Sequence, residues 1–139
     1  MTKRDRKALG RYLRFLANAM GLRDWELILE HDPVPEGAGA LATCRTTFGQ
    51  RRATIAFAAD ARDWNLDRLR RVCVHELMHC HLDRMDTARE AAADELGAQA
   101  RRVSDEAWRS ALEDACDDIA TAWADQFPMI EWPEPATRG

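Results

Sequence analysis

The sequence predicts an α+β domain: an N-terminal helix, a small and mostly antiparallel three-stranded sheet, then a motif-bearing helix and one or two more. Three observations carry that prediction. Apolar residues recur at helical spacing near the N-terminus and again through much of residues 65–127. Between these stretches lie three short alternating segments separated by Gly- and Pro-containing turns. The chain has 139 residues, which suits one domain with a core large enough to dispense with disulfide staples.

Each element has a local reason. Leu9, Tyr12, Leu13, Leu16 and Met20 fall on one face of a helix from about Asp5, with Gly21 placed to end it. Residues 25–30 alternate weakly and read as a strand. Residues 33–39 hold two Pro and two Gly and must be loop. Strands are expected near Leu41–Thr46 and Ala53–Phe57, joined by a turn around Phe48-Gly49-Gln50. Asn65 suits an N-cap, with Asp67 in the first turn of a helix reaching about Asp86. The stretch Thr87–Val103 is helix-prone but weakly patterned. Ser104 is expected to cap a last helix to about Phe127, with Trp108, Leu112, Ala115, Ile119 and Trp123 as its buried stripe. From Pro128 onward three Pro and two Glu predict an extended tail, which sets the domain at 1–127 and the tail at 128–139. Most of the five Trp are expected in the core, with Trp64 a candidate for the mouth of a cleft.

Composition narrows the function classes. The chain is 46% hydrophobic and 32% charged with a net charge of −4, a poor default for binding nucleic acid phosphates. No apolar run approaches the roughly 20 residues that span a bilayer, and no secretory leader is visible. Four cysteines in such a chain point to free thiols and a reducing, cytoplasmic setting. Cys73 and Cys80 are expected to share a buried face of the helix that begins at Asn65. Residues 1–14 carry six basic groups against one acid and residues 105–139 nine acids against two bases, a pattern that solvated helix faces explain.

The segment that carries chemistry is Val74-His75-Glu76-Leu77-Met78-His79. Residues four apart on a helix are offset by about 40°, so His75 and His79 point the same way and can meet one metal ion. Glu76 lies about 100° around from His75, where it can reach a water on that metal. Zinc brings the pKa of such a water toward about 7, and a carboxylate at this place can take its proton. The alternative is a core helix that happens to carry two buried histidines.

Catalytic zinc sites generally have three protein ligands and an open position. His81 lies about 200° from His79 and cannot join the pair. His31 falls in the Pro-rich loop, where it is either a third ligand or a solvated side chain. No histidine follows His81, so a downstream third ligand has to be a carboxylate. Glu113 is the leading candidate, because Glu113, Asp117, Ala120 and Ala124 form one stripe whose small residues allow another helix to come close. Glu113 would complete the site, and Asp117 would accept the Nδ1–H of a liganding histidine. Asp94 and Glu95 are the competing carboxylates.

His75-Glu-x-x-His79 followed by Glu113-x-x-Cys-Asp117 resembles the gluzincin pattern of zinc metallopeptidases, and the layout is similar to small HExxH proteins of phages and prophages. The resemblance implies that His75, His79 and Glu113 bind Zn2+, that Glu76 is the general base, and that Asp117 supports a ligand. It implies peptide-bond hydrolysis of a peptide or protein substrate that pairs with an edge strand, for which Arg52–Phe57 is the expected equivalent. Larger relatives place a downstream His or Tyr at the oxyanion, and this chain has neither after His81. Losing such a donor costs on the order of 10²–10³ in rate, which implies an enzyme restricted to few substrates. Two other readings stay open: a regulatory protease of the phage-repressor-processing kind, and a non-enzymatic, zinc-stabilised module that binds a protein partner.

Overall fold

The computed structural model describes residues 1–34 and 39–134, so the loop expected at 33–39 and the far end of the tail lie partly outside the described residues. Helix α1 spans Lys3–Ala19. Thr2 and Asp5 close a reciprocal capping box at its start, the Asp5 carboxylate accepting from the Thr2 amide at 2.9 Å. At its end Leu22 N–H donates to Ala17 C=O at 2.7 Å and Gly21 N–H to Asn18 C=O at 3.3 Å. That six-to-one closure requires a left-handed residue, supplied by Gly21 at φ +81°.

Strands β1 (Glu26–Leu29), β2 (Ala42–Thr46) and β3 (Arg52–Phe57) form one sheet in the order β1-β3-β2. β2 and β3 are an antiparallel hairpin with Gly49 at φ +70° in its turn, and β1 pairs parallel with β3, so the sheet is mixed. β3 is therefore the central strand. The expectation that Arg52–Phe57 offers a free edge is corrected: its hydrogen bonds are taken on both sides, and Ala53, Ile55 and Phe57 are buried. The edge strands are β1 and β2.

Helix α2 spans Leu66–Ala93, starting at the expected cap, where the Asn65 side chain accepts from Asp67 N–H at 2.8 Å. It runs past Asp86 because Thr87–Ala93 contains strong helix formers and no breaker. Helix α3 spans Ala98–Trp123, beginning at Gly97 and not at Ser104, which lies inside it. Here helix propensity from Ala98 to Val103 outweighs the local capping signal. Charge ties the two helices where they leave the sheet: Arg101 pairs with Glu90 and, at 2.6 Å, with Asp94, while Arg89 pairs with Asp105.

The core is the α1 face of Leu9, Leu13 and Leu16 against β3 and against Leu69, Cys73, Val74 and Leu77 of α2. Cys73 and Cys80 are both buried, as their spacing predicts. On α3 the buried positions are Cys116 and Ala120, continued by Ala124, so small residues mark the close contact with α2. The larger apolar stripe is not the core face; Trp123 is half exposed. Trp64 sits inside the core cluster and does not border a cleft.

The chain beyond Phe127 packs back on the domain. Ile130 joins the core cluster, Tyr12 donates its hydroxyl to Pro128 C=O at 2.7 Å, and buried Arg70 donates to Phe127 C=O at 2.8 Å. Ile130→Ala is therefore expected to cost about 2–5 kcal/mol in urea unfolding. A loss below about 0.5 kcal/mol, the range of ordinary surface substitutions, would show that this segment is not part of the cooperative unit. No helix among the described residues is long and apolar enough to cross a membrane.

Candidate metal centre

α2 presents two faces. Leu69, Cys73, Leu77 and Cys80 turn into the core, and His75 and His79 turn toward α3 and β2. Their rings meet edge to face with centroids 5.1 Å apart and Nε2 atoms 3.3 Å apart. Glu113 reaches across from α3, with Oε2 3.2 Å from His75 Nε2 and Oε1 3.7 Å from His79 Nε2. Asp117, one turn on, holds His75 Nδ1 at 2.8 Å. An ionised carboxylate can only accept, so in the neutral ring Nδ1 carries the proton and Nε2 keeps its lone pair.

The Nε2 atoms of both rings and the two Glu113 carboxylate oxygens thus meet around one gap. Bonds of about 2.0–2.1 Å to a tetrahedral ion give ligand-to-ligand edges of about 3.3–3.4 Å. The Nε2–Nε2 separation of 3.3 Å matches such an edge, Glu113 turns a different oxygen to each ring, and two imidazoles with one carboxylate are a fitting donor set for zinc. Burial holds the His79 imidazole below its usual range, toward the neutral form that binds metals.

A second donor set shares the histidines: one ligand atom each from His75, His79 and Cys116 lies within 4.8 Å of the others. The side of the ring decides between the two. Cys116 Sγ is 3.9 Å from His79 Nδ1, while Nε2 of the same ring faces His75 and Glu113. Burial first, then the charges of Glu113, Glu76 and Asp117, push the Cys116 thiol up to about 12 in the metal-free chain. Cys116 therefore backs His79 as Asp117 backs His75. Its position three residues after Glu113 puts it on the same helical face, a signal present in the sequence.

Glu76 is buried and borders the same cleft as the histidines. Desolvation by burial, then the charges of Glu113 and Asp117, push its carboxyl up to about 8. That cleft has a volume of about 810 Å³ and runs along β2 past Ala42, Thr43 and Cys44. Arg109 also borders it, one turn before Glu113; that i, i+4 relation was legible in the sequence but went unused.

The remaining candidates lie elsewhere. His31 is exposed beside Asp32, with 3.8 Å between Nδ1 and the carboxylate. His81 faces a different cleft with Asp83 and Arg84. Asp94 is paired with Arg101, and Glu95 is exposed. Comparison with models of protein families, with curated proteins and with solved structures finds no match to this chain.

Because Asp117 fixes the tautomer and ring angle of His75, Asp117→Asn is expected to weaken zinc binding about 10–100-fold. Competition with a fluorescent chelator measures this directly. An unchanged affinity would remove Asp117 from the site.

Proposed function

We propose that this chain is a zinc-dependent metallopeptidase acting on few substrates. The observation that supports this reading most is the convergence of the His75 and His79 Nε2 atoms on the Glu113 carboxylate, with Glu76 buried in the adjoining cleft wall. Zinc held there would supply Lewis acidity, bringing the pKa of water toward about 7 and polarising a substrate carbonyl.

The chain's own residues perform the other tasks. β2, at the sheet edge, offers unpaired backbone groups along the cleft, and an extended peptide pairing there crosses the histidine face of α2. Glu76 accepts a proton from the attacking water and returns it to the leaving amine. Asp117 and Cys116 hold the two imidazoles from behind, so the ring nitrogens facing Glu113 need not reorganise.

A purely structural site has no use for Glu76 and prefers a fourth protein ligand, which favours the enzyme over a zinc-stabilised binding module. The partner in this reading is a peptide or protein substrate. Four free thiols suit a reducing, cytoplasmic setting. The test is cleavage of a mixed peptide library by the unaltered chain and by Glu76→Gln. Equal cleavage by both, or none by either with zinc present, would overturn the reading.

A further inference from the structure

The cleft has a second arm to which the hydrolytic reading gives no role. Its volume is about 440 Å³, and it lies between the first half of α2, α3 and the start of β2. Leu41, Val72 and Ala120 give it apolar surface, and Arg68 and Arg71 line it as well. Around the axis of α2, Arg68 and Arg71 lie about 20° and 40° from His75, so they extend the histidine face toward the start of the helix. The Arg68 guanidinium rests over the Trp64 ring, 5.1 Å from its centroid.

Among the described residues neither arginine has a carboxylate within 4.0 Å. Their sequence neighbour Arg70, which is buried, is paired with both Asp67 and Asp125. Three acids also line this arm, Glu76, Glu113 and Asp117, of which Glu113 and Asp117 are engaged with His75. In a chain with 24 acids against 20 bases, two such guanidiniums in one pocket are placed for a carboxylate that arrives from outside.

The geometry points to a carboxylate-binding subsite: the peptide taken by this cleft carries an acidic group on the side of His75 nearest the start of α2. The group is an Asp or Glu side chain or the chain's own C-terminal carboxylate. The apolar surface accommodates methylenes, and Arg68 and Arg71 supply charge-assisted hydrogen bonds to the carboxylate. They also offset the negative charge that Glu113 and Asp117 would present to an acidic ligand. The inference rests on the peptidase reading for its peptide, while the carboxylate pocket can be tested without turnover.

The test uses the inactive Glu76→Gln chain loaded with zinc and fluorescence anisotropy of labelled decapeptides. One set carries a single Glu at successive positions and an amidated end. A second replaces that Glu with Gln, and a third is the Gln set with a free C-terminus. One of the acidic sets is expected to bind at least about tenfold tighter than the amidated Gln set, with the advantage falling as salt rises. Tighter binding of the first set assigns an acidic side chain, and of the third the chain end. Adding Arg68→Ala and Arg71→Ala should erase the advantage, and adding Arg102→Ala, an exposed arginine outside the pocket, should leave it. Equal binding of all sets, or a preference that survives the double replacement, overturns the subsite. Intact preference with no cleavage by the unaltered chain overturns the peptidase reading instead.

Discussion

Glu113→Ala is expected to empty the metal centre. The unaltered chain should hold one zinc per molecule after dialysis, and the variant should bind it at least about 10²-fold more weakly, since even supporting residues cost 10–100-fold. The physical reason is geometric. Glu113 turns a carboxylate oxygen to each imidazole and brings the only charge among the three groups, and two imidazoles held 3.3 Å apart leave the remaining positions to water. A thermal readout is independent of metal analysis. At free zinc about 100 times its Kd, the folded state gains about 2.7 kcal/mol, which in a domain of this size raises Tm by about 10 °C. The variant should show almost none of that rise at the same zinc concentration. The competing donor set makes the opposite forecast: if Cys116→Ala loses zinc and Glu113→Ala keeps it, the centre is His75, His79 and Cys116.

Glu76→Gln separates chemistry from binding. An amide has nearly the shape of the carboxylate but cannot take the proton from water, so turnover should fall by about 10²–10⁴-fold. Zinc content should not fall, because Glu76 is not among the groups that converge with His75 and His79. Burial, then the charges of Glu113 and Asp117, already hold the Glu76 carboxyl toward its neutral form, so the metal-free variant should unfold at a temperature close to that of the unaltered chain. Loss of both zinc and activity would make Glu76 a structural residue, and activity unchanged would remove it from the mechanism.

Local order was the most legible part of both fold and site. The face of α1, its stop at Gly21 and the cap at Asn65 follow from spacing and from residues with one dominant backbone use. The pairing of His75 with His79 is local in the same sense, since one turn of helix settles it. Glu113 and Asp117 were legible for a less direct reason. The small residues Ala120 and Ala124 mark where a helix can approach, and both acids lie on that stripe.

The misreadings came where two equally regular local signals competed, or where the outcome depended on distant chain. Ser104 is a good cap, but the residues before it are better helix formers. Trp108, Leu112, Ile119 and Trp123 form an apolar stripe, yet the buried face is Cys116 and Ala120, because α2 comes too close to admit large side chains. Ile130 looked like tail and is core, since its partners lie in α1 and α2.

By itself the sequence determined most of the elements and the placement of two imidazoles with a carboxylate beside them on one helix, set by a period of 3.6 residues that the backbone imposes wherever it is helical. Tertiary structure alone decided that β3 is central and β2 the edge, because strand order follows from pairing between segments far apart in the chain. It also decided that Glu113 stands at the Nε2 side of His79 while Cys116 stands at Nδ1. Two residues three apart on α3 share a face in any reading of the sequence. Which of them meets which ring nitrogen depends on how far α3 is rotated and shifted against α2, and side-chain packing between the two helices sets that.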